Sequence, residues 1–125
     1  MKSSNFSIKQ RIKSFTYAFN GLRIVFIEEH NARIHLMAAI IAIVLGFVLQ
    51  INAMEWVAIV FAIAMVLSME IINTSIENIA DFISPEKDDM IKKIKDLSAA
   101  AVLITAIATL IVGIIIFAPK IVSLL

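Results

Sequence analysis

The sequence predicts an all-α membrane protein, in which an N-terminal amphipathic surface helix precedes three transmembrane helices within a single domain. Two observations predict this class. Apolar residues make up 61% of the 125 residues, against roughly 45–50% in soluble domains, and a soluble chain this short could not bury so much apolar surface. The apolar residues also form three runs, each close to the roughly 20 residues that a helix needs to cross a bilayer.

Three long runs predict the transmembrane helices, because an open strand would leave backbone groups unpaired in lipid. The runs are Ile34 to Met54, Trp56 to Ile76 and Leu97 to Pro119, and Glu70 is the one formally charged residue within them. We expect the spans at about residues 32–52, 55–80 and 97–118. We expect Pro119 to stop the last helix, because proline cannot continue the hydrogen-bond ladder.

The first 30 residues predict a helix of a different kind. Large apolar side chains recur there at spacings of three and four, which places them on one helical face: Ile8, Ile12, Phe15, Phe19, Leu22 and Phe26. With basic residues on another face, this pattern is typical of a helix that lies along the membrane interface, here at about residues 6–29. Ser7 and Gln10 form a candidate capping box at its start. The alternative is a buried soluble helix.

The basic residues predict the orientation. Ten of the eleven Lys and Arg residues lie in the segment through Arg33 or in the connection between the second and third spans, and only Lys120 follows the last span. By the positive-inside rule, the N-terminus and that connection face the cytoplasm. The chain has no cysteine, so it can form neither a disulfide nor a thiolate metal site.

A polar stripe on the second span indicates a functional cavity. Glu70 lies inside an apolar run, where an ionised side chain costs roughly 3 kcal/mol or more unless it is paired or hydrated. Asn73, Glu77 and Asp81 follow at positions +3, +7 and +11, and therefore share its helical face. Taken singly, each could be a solvated interfacial residue or a helix-packing hydrogen bonder. Four such groups on one face favour a function.

Charged residues near the cytoplasmic ends of the other spans point to the same membrane face. Glu29 precedes the first span, and Lys95 and Asp96 open the third. Lys92 and Lys95 lie one helical turn apart and could face one partner. The alternative for residues 86–96 is a solvated, charged turn that only anchors the topology.

These residue types suit phosphoryl transfer at a membrane surface. Carboxylates bind Mg²⁺, which bridges nucleotide phosphates, and a lysine supplies a further countercharge. A deeper carboxylate can accept a proton from a lipid hydroxyl. With only three glycines, the chain has neither a P-loop nor a glycine-rich kinase loop. From the residues alone, a proton-coupled transporter that uses Glu70 and a non-enzymatic membrane scaffold remain alternatives.

Two motifs resemble those of the prokaryotic diacylglycerol kinase family. They are Glu70-x-x-Asn73-Thr74-x-Ile76-Glu77-x-x-x-Asp81 and Lys95-Asp96-x-x-Ala99-Ala100-Ala101-Val102, with Gly21-Leu22-Arg23 and Glu29 upstream. The resemblance covers about residues 15–117. It implies a homotrimeric lipid kinase of the bacterial cytoplasmic (inner) membrane that uses ATP and Mg²⁺. The partners it implies are the bilayer, a membrane lipid substrate and further copies of the chain, with no nucleic acid polymer.

The resemblance also implies roles for matching positions. Glu70 would be the general base and Asn73 would order the site beside it. Glu29 and Glu77 would hold the metal. The nucleotide would contact a set of residues at the cytoplasmic face: Tyr17, Glu77, Glu86, Asp88, Lys95 and Asp96. The lipid would contact residues around the start of the first span: Arg23, Asn31, Arg33 and His35.

The predicted lipid acceptor rests on one local segment of the sequence. Glu29-His30-Asn31-Ala32-Arg33-Ile34-His35 is more similar to the branch of the family that phosphorylates undecaprenol. The enterobacterial form, which phosphorylates diacylglycerol, has an acidic residue where this chain has His35. We therefore expect undecaprenol as acceptor, with diacylglycerol as the alternative.

Overall fold

A computed structural model describes residues 6–125 of the protein as four helices. Their bounds are α1 Ile8–Glu28, α2 His30–Val48, α3 Ala53–Ile83 and α4 Asp89–Ser123. The predicted all-α class is confirmed, since residues 6–125 contain no strand. Helices α2, α3 and α4 are each long and apolar enough to cross a membrane, as the three apolar runs predicted.

Helix α1 begins after Ser7, whose side-chain oxygen accepts a hydrogen bond from the Gln10 backbone N–H at 3.4 Å. Its large apolar side chains point away from the rest of the chain, and several are more than 60% exposed: Ile8, Ile12, Phe15 and Phe19. Only Val25 is buried. The apolar face of α1 is thus left without a cover by the other described residues.

A single extended residue, Glu29, separates α1 from α2. Its N–H ends α1 by donating to the Val25 carbonyl at 2.9 Å, and its carbonyl accepts from the Arg33 N–H at 3.3 Å as α2 begins. The chain therefore bends at Glu29. This bend places the Glu29 carboxyl group at the N-terminus of α2, where it can face α3.

The turn between α2 and α3 fixes how these two helices lie against each other. The Ile51 N–H donates to the Gly46 carbonyl at 3.1 Å while Gln50 takes a positive φ of 54°, the pattern of a Schellman motif. Asn52 then caps α3 through reciprocal hydrogen bonds with Glu55, at 2.9 and 3.0 Å. Both ends of the turn are satisfied, so α2 and α3 pack as an antiparallel pair.

The main apolar core lies at the same end of the molecule as this turn. Ile51, Ile59, Ile116 and Phe117 form it, and the rings of Phe47 and Trp56 meet beside it with centroids 4.8 Å apart. Helix α4 packs along α3, and the Thr109 hydroxyl donates to the Ala62 carbonyl at 3.2 Å. The opposite ends of the helices carry the polar residues.

The expectation that Pro119 stops the last helix is wrong, because α4 continues through it to Ser123. Proline removes only one backbone donor, and membrane helices tolerate that loss when neighbours hold the helix. Here Phe117 is buried in the core, and the Lys120 Nζ lies 3.2 Å from a carboxylate oxygen of Glu55 on α3. These contacts hold the last turn of α4 in place.

The charged segment before the third span is also more helical than a solvated turn would be. Asp88 caps α4 by accepting hydrogen bonds from the N–H groups of Met90 and Ile91, at 2.8 and 3.3 Å. Helix α4 therefore begins at Asp89. Its 35 residues span about 50 Å, well beyond the ~30 Å hydrocarbon core. Helix α4 is thus longer than one membrane crossing requires, and its first turns carry the charged residues.

We predict that Gly46→Ala destabilises the helical hairpin. A Cβ atom at Gly46 would lie 2.6 Å from Cη2 of Trp56 and 3.1 Å from Cδ1 of Ile51. Such overpacking lowers the free energy of unfolding by about 1–3 kcal/mol, measured by equilibrium unfolding in detergent micelles. The control is Gly21→Ala, whose Cβ would meet nothing within 4 Å and which replaces glycine within a helix. Equal stability of the two variants would contradict the prediction.

Candidate active site

The polar stripe on α3 is built as its spacing predicted. Glu70 is 1% exposed, Asn73 is 7% exposed and Glu77 is half-buried. Asp81, one turn further, is exposed. Because the residues recur every three to four positions, they share one face of the helix. The stripe therefore runs from the interior of the helix bundle to its polar end.

A hydrogen-bonded chain fixes the middle of the stripe. The Ser98 hydroxyl of α4 donates to the Asn73 side-chain oxygen at 2.7 Å, and the Asn73 amide donates to a carboxylate oxygen of Glu77 at 3.2 Å. With both ends of its amide engaged, Asn73 is held in one orientation. Ser98 was not among the predicted site residues. Its signal was a polar side chain in an apolar run just after Lys95-Asp96.

Glu29 meets Glu77 across the α2–α3 interface. Burial raises the pKa of the Glu29 carboxyl group, and the adjacent Glu77 carboxyl raises it further by a hydrogen bond and by charge repulsion. The charges of Glu70 and Glu28 raise the pKa of Glu29 as well. The two residues expected to hold a metal are thus brought together, and negative charge accumulates between them.

This pair of carboxylates suits a divalent cation bound together with a nucleotide. Residues 6–125 contain no group of three or more His, Asp or Glu side chains that could hold a metal alone. Mg²⁺ seldom needs one, because it commonly binds through one or two carboxylates while substrate phosphates and water complete its coordination. The mutual repulsion of Glu29 and Glu77 is what a cation would relieve. The donor set therefore fits Mg²⁺.

Glu70 faces a histidine of α2. The His35 Nε2 atom lies 3.3 Å from Oε1 of Glu70. The contact is close without being aligned as a hydrogen bond, and Oε1 has no hydrogen-bond partner among the described residues. The Thr74 hydroxyl does not help, because it donates to the backbone carbonyl of Glu70, at 2.9 Å. The Glu70 carboxylate is thus buried and incompletely satisfied.

An open cleft of about 480 Å³ lies between the end of α3 and the start of α4. Four of the residues expected to contact the nucleotide line this cleft: Glu86, Asp88, Lys95 and Asp96. Asp81 and Lys92 line it as well. Its volume falls within the roughly 300–1,000 Å³ of small-molecule sites. The cleft therefore has the size of a small-molecule site and carries side chains of both charges.

Lys92 and Lys95 both line the cleft, as expected of residues that could face one partner, but they pair with different carboxylates. The Lys95 Nζ lies 2.5 Å from a carboxylate oxygen of Asp81 on α3, whereas the Lys92 Nζ lies 2.6 Å from Asp96 on its own helix. Lys95 is directed toward α3, and Lys92 is more exposed. The pairing of Lys95 with Asp81 links α4 to the outer end of the polar stripe.

Four expected site residues lie away from this cluster in a single copy of the chain. Tyr17 is 69% exposed on α1, and none of the four lines the cleft. The other three are exposed on α1 or on the first turn of α2: Arg23, Asn31 and Arg33. The structure therefore places Glu29 near Glu77, His35 near Glu70, and four expected nucleotide residues around one cleft. Tyr17 and the other three side chains lie apart from these groups.

Residues 16–117 of the chain match the sequence profile of the family described as prokaryotic diacylglycerol kinase. The chain belongs to the prokaryotic diacylglycerol kinase family. This protein is therefore a membrane lipid kinase, and the transporter and scaffold alternatives are set aside. Membership of a kinase family implies ATP as the phosphate donor.

Characterised relatives of this lipid kinase carry two names. Undecaprenol kinase of Bacillus subtilis (strain 168) is 34% identical over 108 residues, covering 86% of this chain and 88% of the relative. Diacylglycerol kinase of Escherichia coli (strain K12) is 33% identical over 100 residues, covering 80% and 82%. Diacylglycerol kinase of Helicobacter pylori (strain 26695) is 35% identical over 96 residues, covering 77% and 75%. Overall identity does not separate the two acceptors.

Proposed function

We propose that this lipid kinase transfers the γ-phosphoryl group of ATP to undecaprenol, giving undecaprenyl phosphate. The observation that carries the proposal is the burial of Glu70, which is 1% exposed within an apolar helix. Such a carboxylate is costly in a membrane segment and marks a functional site. A lipid alcohol whose hydroxyl group lies at headgroup depth is the acceptor that a base in this position could serve.

In the proposed reaction, Glu70 accepts the proton of the acceptor hydroxyl as that oxygen bonds to the γ-phosphorus. The bond from the γ-phosphorus to the oxygen that bridges it to the β-phosphate breaks, and ADP leaves with that electron pair. The products are the lipid phosphate, ADP and a proton on Glu70. Asn73, fixed by Ser98 and Glu77, keeps this face of α3 in order beside the base.

Glu29 and Glu77 would hold Mg²⁺ in this proposal. Bound with ATP, the ion supplies charge neutralisation to the phosphates. The two carboxylates lie on different helices and repel each other, so a shared cation would also tie α2 to α3. Glu77 serves two purposes, because it also anchors the amide of Asn73, at 3.2 Å.

The open cleft is the proposed nucleotide site. Lys95 is a cation within reach of phosphate oxygens there, and Glu86, Asp88 and Asp96 line the same space. Lys95 already contacts Asp81, so a bound phosphate would compete with that carboxylate for the ammonium group. Tyr17 lies outside the cleft. Its proposed contact with the nucleotide rests on the family resemblance and requires α1 to lie near the bound ligand.

The proposed setting is the inner membrane of a bacterium, with the N-terminus and the active site in the cytoplasm. The distribution of lysine and arginine supports this orientation. The exposed apolar face of α1, which carries Ile8, Ile12 and Phe15, supports a position along the membrane interface. We propose a homotrimer from the family resemblance. Arg23, Asn31 and Arg33 would then meet the lipid at the headgroup level.

The choice of undecaprenol rests on the segment from Glu29 to His35, which resembles the branch that uses this acceptor. A second candidate is diacylglycerol, with phosphatidic acid as product. It is favoured by the relatives named diacylglycerol kinase, two of which are 33% and 35% identical to this chain. Both acceptors are membrane alcohols, so Glu70 has the same role in either reaction.

Glu70→Gln is expected to lower the turnover number by about 10²–10⁴-fold, the usual contribution of a general base. The amide keeps the size of the side chain but cannot take the proton. The measurement is ³²P transfer from ATP to undecaprenol by purified protein in micelles with Mg²⁺. Glu55→Gln is the control and should keep the wild-type rate, because Glu55 lies near the other end of the same helix and glutamine also serves at this position of a capping box. A wild-type turnover number in Glu70→Gln would contradict the proposed role of Glu70 as general base.

The acceptor is tested with the wild-type protein. We expect a higher kcat/KM with undecaprenol than with diacylglycerol when each is presented in the same detergent with ATP and Mg²⁺. Preference for diacylglycerol would overturn the choice of branch and leave the lipid kinase assignment standing. Addition of both acceptors together, with separation of the two labelled products, measures the preference directly.

Glu29→Gln is expected to move the midpoint of Mg²⁺ activation to a higher concentration. It removes one proposed ligand, and in EDTA it should raise the melting temperature because the repulsion between Glu29 and Glu77 disappears. Glu28→Gln is the control: it removes a neighbouring charge that acts on Glu29 but no proposed ligand, so the Mg²⁺ midpoint should move much less than in Glu29→Gln. An unaltered midpoint in Glu29→Gln would exclude Glu29 as a metal ligand.

A further inference from the structure

His35 is placed so that it can act on Glu70. Its Nε2 atom lies 3.3 Å from Oε1 of Glu70, and the side chains of the two residues are 23% and 2% exposed. Oε1 has no hydrogen-bond partner among the described residues. A buried carboxylate oxygen without a donor is costly, so the nearby imidazole N–H is the group best placed to satisfy it.

The position of His35 follows from the antiparallel packing of α2 on α3. Glu29 faces Glu77 at the polar end, and six residues further along α2 His35 faces Glu70, which lies seven residues back along α3. These intervals correspond to about 9 and 10 Å along the two helices. The two contacts therefore belong to one register of α2 against α3. The contact that lies deeper in the bundle is the one between His35 and Glu70.

The charged neighbours of Glu70 leave His35 as the one stabilising group. His35 is the basic side chain that lies against the Glu70 carboxylate, whereas Glu77, two turns along the same helix, is a second carboxylate. Glu29 on α2 is a further carboxylate whose charge interacts with that of Glu70. Lys95, the cation of the cleft, is paired with Asp81. Within the described part of the chain, His35 is thus the one basic side chain in contact with the Glu70 carboxylate.

We propose that His35 is a positioning residue for Glu70. This role rests on the proposed function of Glu70 as the base. By presenting its Nε2–H to Oε1, the imidazole would hold the carboxylate in one orientation and leave the second oxygen free for the acceptor hydroxyl. The contact is loosely aligned without substrate, as catalytic hydrogen bonds often are in free enzymes, and it tightens when the acceptor binds.

The test compares two replacements of His35 with a replacement of the other histidine. His35→Leu removes the donor, and we expect kcat to fall by about 10²-fold, the cost of a base displaced by ~1 Å. His35→Gln keeps an N–H donor at similar reach and should recover most of the rate. The KM for ATP should stay the same in both, because the cleft is formed by other residues. His30 is exposed, so His30→Leu should keep the wild-type kcat.

A thermodynamic cycle separates positioning from a general loss of structure. In the Glu70→Gln background, where there is no base to position, His35→Leu should cause no further loss of rate. If His35→Leu keeps the wild-type kcat, if His35→Gln falls as far as His35→Leu, or if the losses multiply in the double variant, the role of His35 is overturned. A wild-type protein that phosphorylates neither lipid alcohol would overturn the proposed function itself, which is a separate result.

Discussion

The antiparallel contact between α2 and α3 is the constraint on which the site depends. It sets Glu29 against Glu77 and His35 against Glu70, and neither contact survives a shift of one residue, because each residue turns a helix by ~100°. The register is set at the far end of the hairpin, where the Gln50 turn and the capping box of Asn52 and Glu55 are fully hydrogen-bonded. Backbone geometry at one membrane face thus determines which side chains meet near the other.

Stability and chemistry are concentrated at opposite ends of the bundle. The apolar cluster of Ile51, Ile59, Ile116 and Phe117 holds the turn end together, while the polar end carries carboxylates that repel one another. Hydrogen bonds to Asn73 replace apolar packing there, since Ser98 and Glu77 engage both ends of its amide. The polar end is therefore ordered by these hydrogen bonds, and binding of the proposed cation, nucleotide and lipid would stabilise it further.

Periodicity alone predicted the three long apolar helices and the shared face of Glu70, Asn73 and Glu77, because both follow from the geometry of a single helix. The partners of these residues could not be predicted, since which residue of α2 or α4 meets α3 depends on the register and rotation of each pair. Ser98 and the contact of His35 with Glu70 belong to this second kind. The prediction that Pro119 ends the last helix was wrong for the same reason, because the contacts that hold the helix beyond it come from α3.

The separation of Glu70 from Glu77 bears on how the proposed reaction divides its work. Seven residues of helix are about 10 Å, so the proposed metal ligand Glu77 and the proposed base Glu70 act at different places along α3. A carboxylate bound to a cation has its lone pairs engaged and is a poor base, whereas one held by an imidazole N–H keeps an oxygen free. In the proposed reaction, charge neutralisation would thus fall to Glu29 and Glu77, and proton transfer to Glu70 with His35 positioning it. With Glu70 as the proposed base, its burial would favour an acceptor whose hydroxyl reaches below the membrane surface, which a soluble alcohol would not do.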